Sequence, residues 1–367
     1  MQAWKIDLLL VGAVLSLLVT GCTSPAIHVQ PSRVFPGKHW QQKTPAEVGL
    51  DPMRLEAFAR YISEGRGQEA QRPSRGCIIK DGYMVYSWGD PSHPSGWFSA
   101  SKPVLSTLLF FAIEDGKLSS VDAWVADLGW PLVAKDQSMT FRHLANMTSG
   151  YACNEAPGQA WAYNDYAIMF YALSLEKAMG RSIKQAADKY FSALRFEDGD
   201  LIGNHLRGRG VSASCRDFAR VGWFWMNRGG WGGRQVLPQA YFDAYMKPQV
   251  PADLPRTATV EPNDYLKIGS YGGGHDQVPY GPGMYGFNWW YNAPGPDGRQ
   301  PAPDGPADMV MAVGYGGNVM VMLPSQGLLV AARANWGGLR SRQSDARLNT
   351  ALRMLMSALS PGTDAGR

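Results

Sequence analysis

Strand-like runs stand near both ends of this chain, and helix-like spacing fills the long stretch between them. Residues 77–80 and 84–88 are short apolar-rich runs separated by Asp81-Gly82, a strong hairpin signal. Late in the chain, residues 286–291, 309–313, 319–323 and 328–334 read as strands. Between the two groups, residues 103–115, 141–147, 166–179, 183–194 and 215–227 carry helical spacing, broken by glycine-rich stretches at 203–210 and 229–233. A helix at 52–64 opens the pattern, with Asp51 as N-cap, Pro52 next to it, and Leu55, Phe58, Ala59 and Ile62 on one face. Another, at 345–359, closes it. This order predicts a mixed α/β (α+β) architecture: an antiparallel sheet flanked by terminal helices, with an inserted helical subdomain. The loop at 248–282, rich in Pro, Gly and Tyr, is a candidate border for a site.

The 367 residues suffice for one large core, and 45% hydrophobic against 18% charged is an ordinary globular balance. A net charge of +4 without a Lys/Arg run gives no reason to expect nucleic acid. The first 22 residues differ in kind. Lys5 precedes a dozen apolar residues, 8–19, too few to span a bilayer comfortably, and the run ends Val19-Thr20-Gly21-Cys22. That ending resembles a lipobox, so residues 1–22 are expected to be an export signal with Cys22 lipidated, and 23–45, holding four prolines, a tether. The expected location is the cell envelope on the periplasmic side, anchored through the N-terminal lipid. Thr23 after Cys22 leans towards the outer membrane, by resemblance to sorted lipoproteins. Export means an oxidising compartment, where a Cys153–Cys215 bridge is one expectation; Cys77, in an apolar run, reads as a buried small hydrophobe. The scattered histidines and absent metal spacing predict no metal and no cofactor.

The strongest local signal is Ser99-Ala100-Ser101-Lys102, followed by Pro103 and an apolar run. On a helix starting at Ser99, positions 99 and 102 share a face, Pro103 falls in the first turn, and the helix N-terminus supplies positive potential where an oxyanion would form. A serine beside an amine is the arrangement for an activated nucleophile. Taken alone the pattern is weak, expected by chance about once per 250 to 300 residues. His143 offers a rival base, but no Gly-x-Ser-x-Gly elbow exists to use it.

Further motifs follow in order: Thr148-Ser149-Gly150, then Tyr163-Asn164-Asp165 after Pro157-Gly158, then Gly210-Val211-Ser212, then Gly314-Tyr315-Gly316-Gly317-Asn318 between two strands. With Ser-x-x-Lys, this series resembles the serine β-lactamase and penicillin-binding-protein superfamily. It is most similar to the class C β-lactamase-like serine hydrolases, whose members include esterases, carboxypeptidases and nylon-oligomer hydrolases. The resemblance spans about residues 45–360, so 46–360 is the expected hydrolase domain, with a β-lactamase/transpeptidase-like fold. It implies Ser99 as nucleophile, Lys102 and Tyr163 as proton-moving groups, and the amides of Ser99 and Asn318 as the oxyanion hole. Asp165, Tyr315, Gly316 and Gly317 would contact substrate. Two departures stand out. Asp165 replaces the commoner Asn and would accept from Lys102, leaving Lys102 and Tyr163 both candidates for the working base. Tyr315 replaces a Lys or His, removing a partner for a substrate carboxylate and favouring an ester, amide or peptide-like substrate. The alternative reading is a catalytically weak penicillin-binding-like or sensor module. Arg142, Arg207 and Arg209 are secondary carboxylate-binding candidates, and Trp161, Trp289 and Trp290 candidate pocket walls.

Overall fold

The computed structural model describes residues 33–64, 73–276, 278–337 and 342–359. The helices among them are α1 (Pro52–Ser63), α2 (Lys102–Glu114), α3 (Phe141–Ala145), α4 (Asp165–Met179), α5 (Ile183–Tyr190), α6 (His205–Gly208), α7 (Cys215–Met226), α8 (Gln239–Tyr245) and α9 (Arg342–Ser357). The strands are β1 (Arg75–Lys80), β2 (Tyr83–Trp88), β3 (Ser95–Gly96), β4 (Ser212–Ala213), β5 (Gly230–Trp231), β6 (Arg234–Gln235), β7 (Tyr285–Gly286), β8 (Trp289–Tyr291), β9 (Val310–Val313), β10 (Asn318–Leu323) and β11 (Leu328–Arg333).

The capping signal at α1 is realised: Asp51 Oδ1 accepts from Met53 N and Arg54 N, and Leu55, Phe58, Ala59 and Ile62 are buried. Asp81 and Gly82 both take positive φ, 52° and 91°, which is the two-residue hairpin turn their sequence predicts. Seven strands form one antiparallel sheet in the order β2-β1-β11-β10-β9-β8-β7, so the first hairpin pairs directly with the last strand. The expected mixed architecture with helices between early and late strands is therefore correct. The start of α1 meets the segment after α9 at Asp51, whose N–H donates to Ala358 O at 2.8 Å, and Phe58 of α1 packs edge-on against Trp336. Helix α7 lies on β1, β10 and β11. It approaches closely at Gly222, where a Cβ would sit 2.3 Å from Met320 Sδ.

Two expectations are corrected. Residues 33–45 are not a tether: Trp40 is buried, Trp223 Nε1 donates to Val34 O at 2.9 Å, and Arg220 donates to the carbonyls of Gly37 and Lys38. The prolines signal irregular backbone, but Phe35 and Trp40 supply apolar anchors that hold it down. The remainder of that segment, and Cys22, lie outside the described residues. Cys153 and Cys215 form no disulfide. Cys153 Sγ meets His275 Nε2 at 3.2 Å, whereas Cys215 starts α7 with its sulfur towards Arg75 O. The two sulfurs are held by different partners.

Candidate active site

The segment before α2 is positioned by a short ladder. β3 pairs with β4; Trp97 N then donates to Val211 O, Trp97 Nε1 to Ala213 O, and Val211 N to Ser101 Oγ. Between these ties the chain makes a 3₁₀ turn, Phe98–Ser101, and enters α2 at Lys102. The α-helix thus starts three residues later than the sequence suggests, because Phe98 adopts φ 50° and the first turn is tightened. Ser99 is presented on that turn, backed by α2, most of which is buried.

Lys102 is 1% exposed, and its ammonium meets three acceptors: Ser99 Oγ at 2.7 Å, Tyr163 Oη at 2.9 Å and Asp165 Oδ1 at 2.6 Å. Its amine donates hydrogen bonds to Ser99 and Tyr163 and forms an ion pair with Asp165. The same nitrogen lies 4.4 Å from the Tyr163 ring centroid and 5.4 Å from that of Tyr271. Tyr163 reaches this point because Asn164 caps α4, its Oδ1 accepting from Tyr166 N and Ala167 N while its Nδ2 donates to Tyr151 O. The phenol ring stacks on Trp290 at 5.8 Å. Asp165 is the first residue of α4, where the helix dipole favours its negative charge. A backbone pair clamps it to the 248–282 loop: Asp165 N donates to Gly274 O, and Tyr271 N donates to Asp165 O.

Opposite Ser99 lies the turn after β9. Gly314 N donates to Asn318 O at 2.7 Å, and Ala334 N to Gly317 O at 2.9 Å. In this register Asn318 faces Arg333 as a non-hydrogen-bonded pair, so its N–H points away from β11, towards the side occupied by Gly314. Gly314 is pressed against the serine turn: a Cβ there would stand 2.2 Å from Trp97 O and 2.9 Å from Ala100 N. Gly316 and Gly317 hold the tight turn with φ of 70° and 75°.

A cavity of about 730 Å³ opens above Ser99. Tyr163, Asp165 and Tyr315 line it, as the sequence led us to expect, whereas Gly316, Gly317 and Asn318 are buried and are not among the lining residues. Trp290 is in the wall; Trp161 backs Tyr163, and Trp289 packs on Trp225 in the core. Lining side chains that no motif singled out include Phe98, His205 and Tyr271. Tyr271 carried a signal in its place in the 248–282 loop. Burial lowers the His205 pKa, keeping its ring neutral at pH 7. His143 is not in the cavity; its Nδ1 accepts from Thr140 N, and burial lowers its pKa too. Arg142 is bound to Asp122 and Arg209 to Glu176, so neither faces the cavity, and Arg207 does not line it.

Comparison with known proteins gives three findings. The family model described as Beta-lactamase matches residues 58–353. No curated protein sequence matches the chain. Among solved structures, a beta-lactamase from Mycobacterium bovis is 15% identical with a TM-score of 0.55, covering 84% of this chain and 98% of its own. A penicillin-binding protein homologue from Caulobacter crescentus is 15% identical with a TM-score of 0.57, covering 85% and 99%. EstCE1, a hydrolase with promiscuous acyltransferase activity, is 13% identical with a TM-score of 0.55, covering 84% and 97%. At such identities these structures share the fold.

Proposed function

The chain belongs to the beta-lactamase family, a family of hydrolases, and from that premise and its site geometry we propose a serine hydrolase working through an acyl-enzyme. The observation that carries this reading is a single buried amine within hydrogen-bond reach of both Ser99 Oγ and Tyr163 Oη on the floor of the cavity. Ser99 Oγ attacks the carbonyl carbon and passes its proton to Tyr163 Oη, while Tyr163 passes its own phenolic proton to the leaving group and the C–O or C–N bond breaks. The leaving alcohol or amine departs with the proton from Tyr163, which stays a neutral phenol. Water then adds to the acyl-enzyme, giving up a proton by the same route, and the acid is released as Ser99 regains its hydrogen. Lys102, hydrogen-bonded to both oxygens, stabilises negative charge developing on Ser99 Oγ and Tyr163 Oη, with Tyr163 as proton carrier. The amides of Ser99 and Asn318 would hold the oxyanion.

Tyr315 at the position of the family's cation supports an ester, amide or peptide-like substrate. The export reading rests on residues 1–22, and we propose that Cys22 anchors the enzyme to an envelope membrane. A Cys22→Ala chain found in the soluble periplasmic fraction would bear this out. The chemistry is tested by a fluorophosphonate probe. Intact protein should label and the Ser99→Ala variant should not; equal labelling would refute it. Stoichiometric labelling without turnover of any ester, amide or β-lactam would favour the sensor reading instead.

A further inference from the structure

Among the described residues that line the cavity there is no lysine or arginine, and Asp165 is the single charged side chain. Its ion-pair partner Lys102 is 1% exposed and donates to Ser99 and Tyr163 in the floor. Of the arginines near the lining segments, Arg209 makes two hydrogen bonds to Glu176 and Arg256 pairs with Asp276, while Arg207 is exposed and is not among the residues that line the cavity. The rest of the wall is rings and aliphatic carbon. Phe98, held edge-on between His205 at 4.4 Å and Tyr315 at 5.8 Å, forms one side. Tyr271 and Trp290 form another, with Leu206 and Val278 between. The His205 imidazole, neutral for the reason given above, adds no charge.

A carboxylate entering this space would leave its water and meet, among the described lining residues, the Asp165 carboxylate and no lysine or arginine. An uncharged group would exchange water for aromatic faces. The volume suits a ligand with one or two rings. Resting on the serine hydrolase reading, we infer that the site takes uncharged esters with a bulky apolar, ring-bearing acyl group. Asp165 is the specificity-determining residue that turns away analogues carrying a carboxylate on that acyl group. Selection comes from what the site withholds as much as from what it offers.

The test uses two esters of one leaving group, 4-nitrophenyl phenylacetate and 4-nitrophenyl (4-carboxyphenyl)acetate. The full chain without residues 1–22 should prefer the neutral ester by about 100-fold in kcat/KM. Asp165→Asn should shrink that ratio about tenfold, whatever it does to the absolute rates, and Asp165→Glu should keep it. A wild-type ratio below about threefold, or one that Asp165→Asn leaves unchanged, overturns the inference. Calorimetric binding of both esters to Ser99→Ala separates this from the hydrolase reading. Tighter binding of the neutral ester without wild-type turnover supports the charge selection and refutes the hydrolase. Equal binding, or none, overturns the charge selection whatever the turnover.

Discussion

Replacing Gly314 by alanine tests whether the turn after β9 and the serine turn form one rigid unit. Gly314 has φ −128° and ψ 162°, ordinary for any residue, so the added methyl meets a steric problem and no backbone strain. Its Cβ would stand 2.2 Å from Trp97 O, where ordinary van der Waals contact starts at 3.4 Å. Both partners are backbone, so no side chain can swing aside. The two turns must part by about 1 Å. A 1 Å error between nucleophile and oxyanion donors costs roughly 100-fold in rate. Overpacking should cost only about 1 to 3 kcal/mol of stability. The measurement is kcat and KM on a neutral ester beside a thermal melt, with Gly37→Ala as control. A Cβ at Gly37 meets nothing within 4 Å. The expected result is kcat down about 100-fold, KM within a few-fold, and a cooperative melt a few degrees lower. A variant within threefold of wild-type kcat would refute the rigid pairing of the two turns.

Tyr163→Phe keeps the ring on Trp290 and removes only Oη. It should lower kcat by about 10² to 10⁴ with little change in KM, read by steady-state kinetics. Burial pushes the Cys153 thiol up to about 11 and that of Cys215 to about 12. Native protein at pH 8 should therefore resist iodoacetamide at both positions, and reductant should leave the melting temperature unchanged; mass spectrometry and a melt check this. Arg220→Met should destabilise by about 3 to 5 kcal/mol in urea at pH 7, because Glu197 loses its 2.6 Å partner while staying buried. Burial opposes the Glu197 charge, yet hydrogen bonds from Arg220 and His39 hold its carboxyl below the ordinary range. A lowered folded pKa contributes stability above the usual glutamate range and loses it as pH falls through the folded value. The gap between wild type and Arg220→Met should thus narrow on acidification.

What could be read from the sequence follows how far each feature depends on distant chain. Asp51 with Pro52, and Asp81 with Gly82, act on neighbouring backbone, and both signals appear where the sequence puts them. Ser99 and Lys102 are three apart, so any helical or 3₁₀ turn brings them together; 2.7 Å follows almost from spacing alone. Elsewhere tertiary contacts overrule local pattern. Residues 286–291 read as one strand, but Phe287 and Asn288 take φ of 46° and 68° and split it into the β7–β8 hairpin. No propensity places a phenylalanine there. Anchors from elsewhere do: Phe287 N donates to Asn146 Oδ1, Asn288 N to Ala145 O, and Ser106 Oγ to Asn288 Oδ1. The Tyr271 ring over Lys102 belongs to the same class, fixed by the backbone clamp between its loop and Asp165. Asp165 joins the two levels. Its motif position put it beside Lys102, and its being an aspartate is what leaves the cavity with its cation already paired. Local pattern therefore locates the proposed nucleophile, while the walls around it come from loops assembled by the fold. Substrate preference should accordingly move with changes at Tyr271, His205 and Asp165 while Ser99 remains the residue that is labelled.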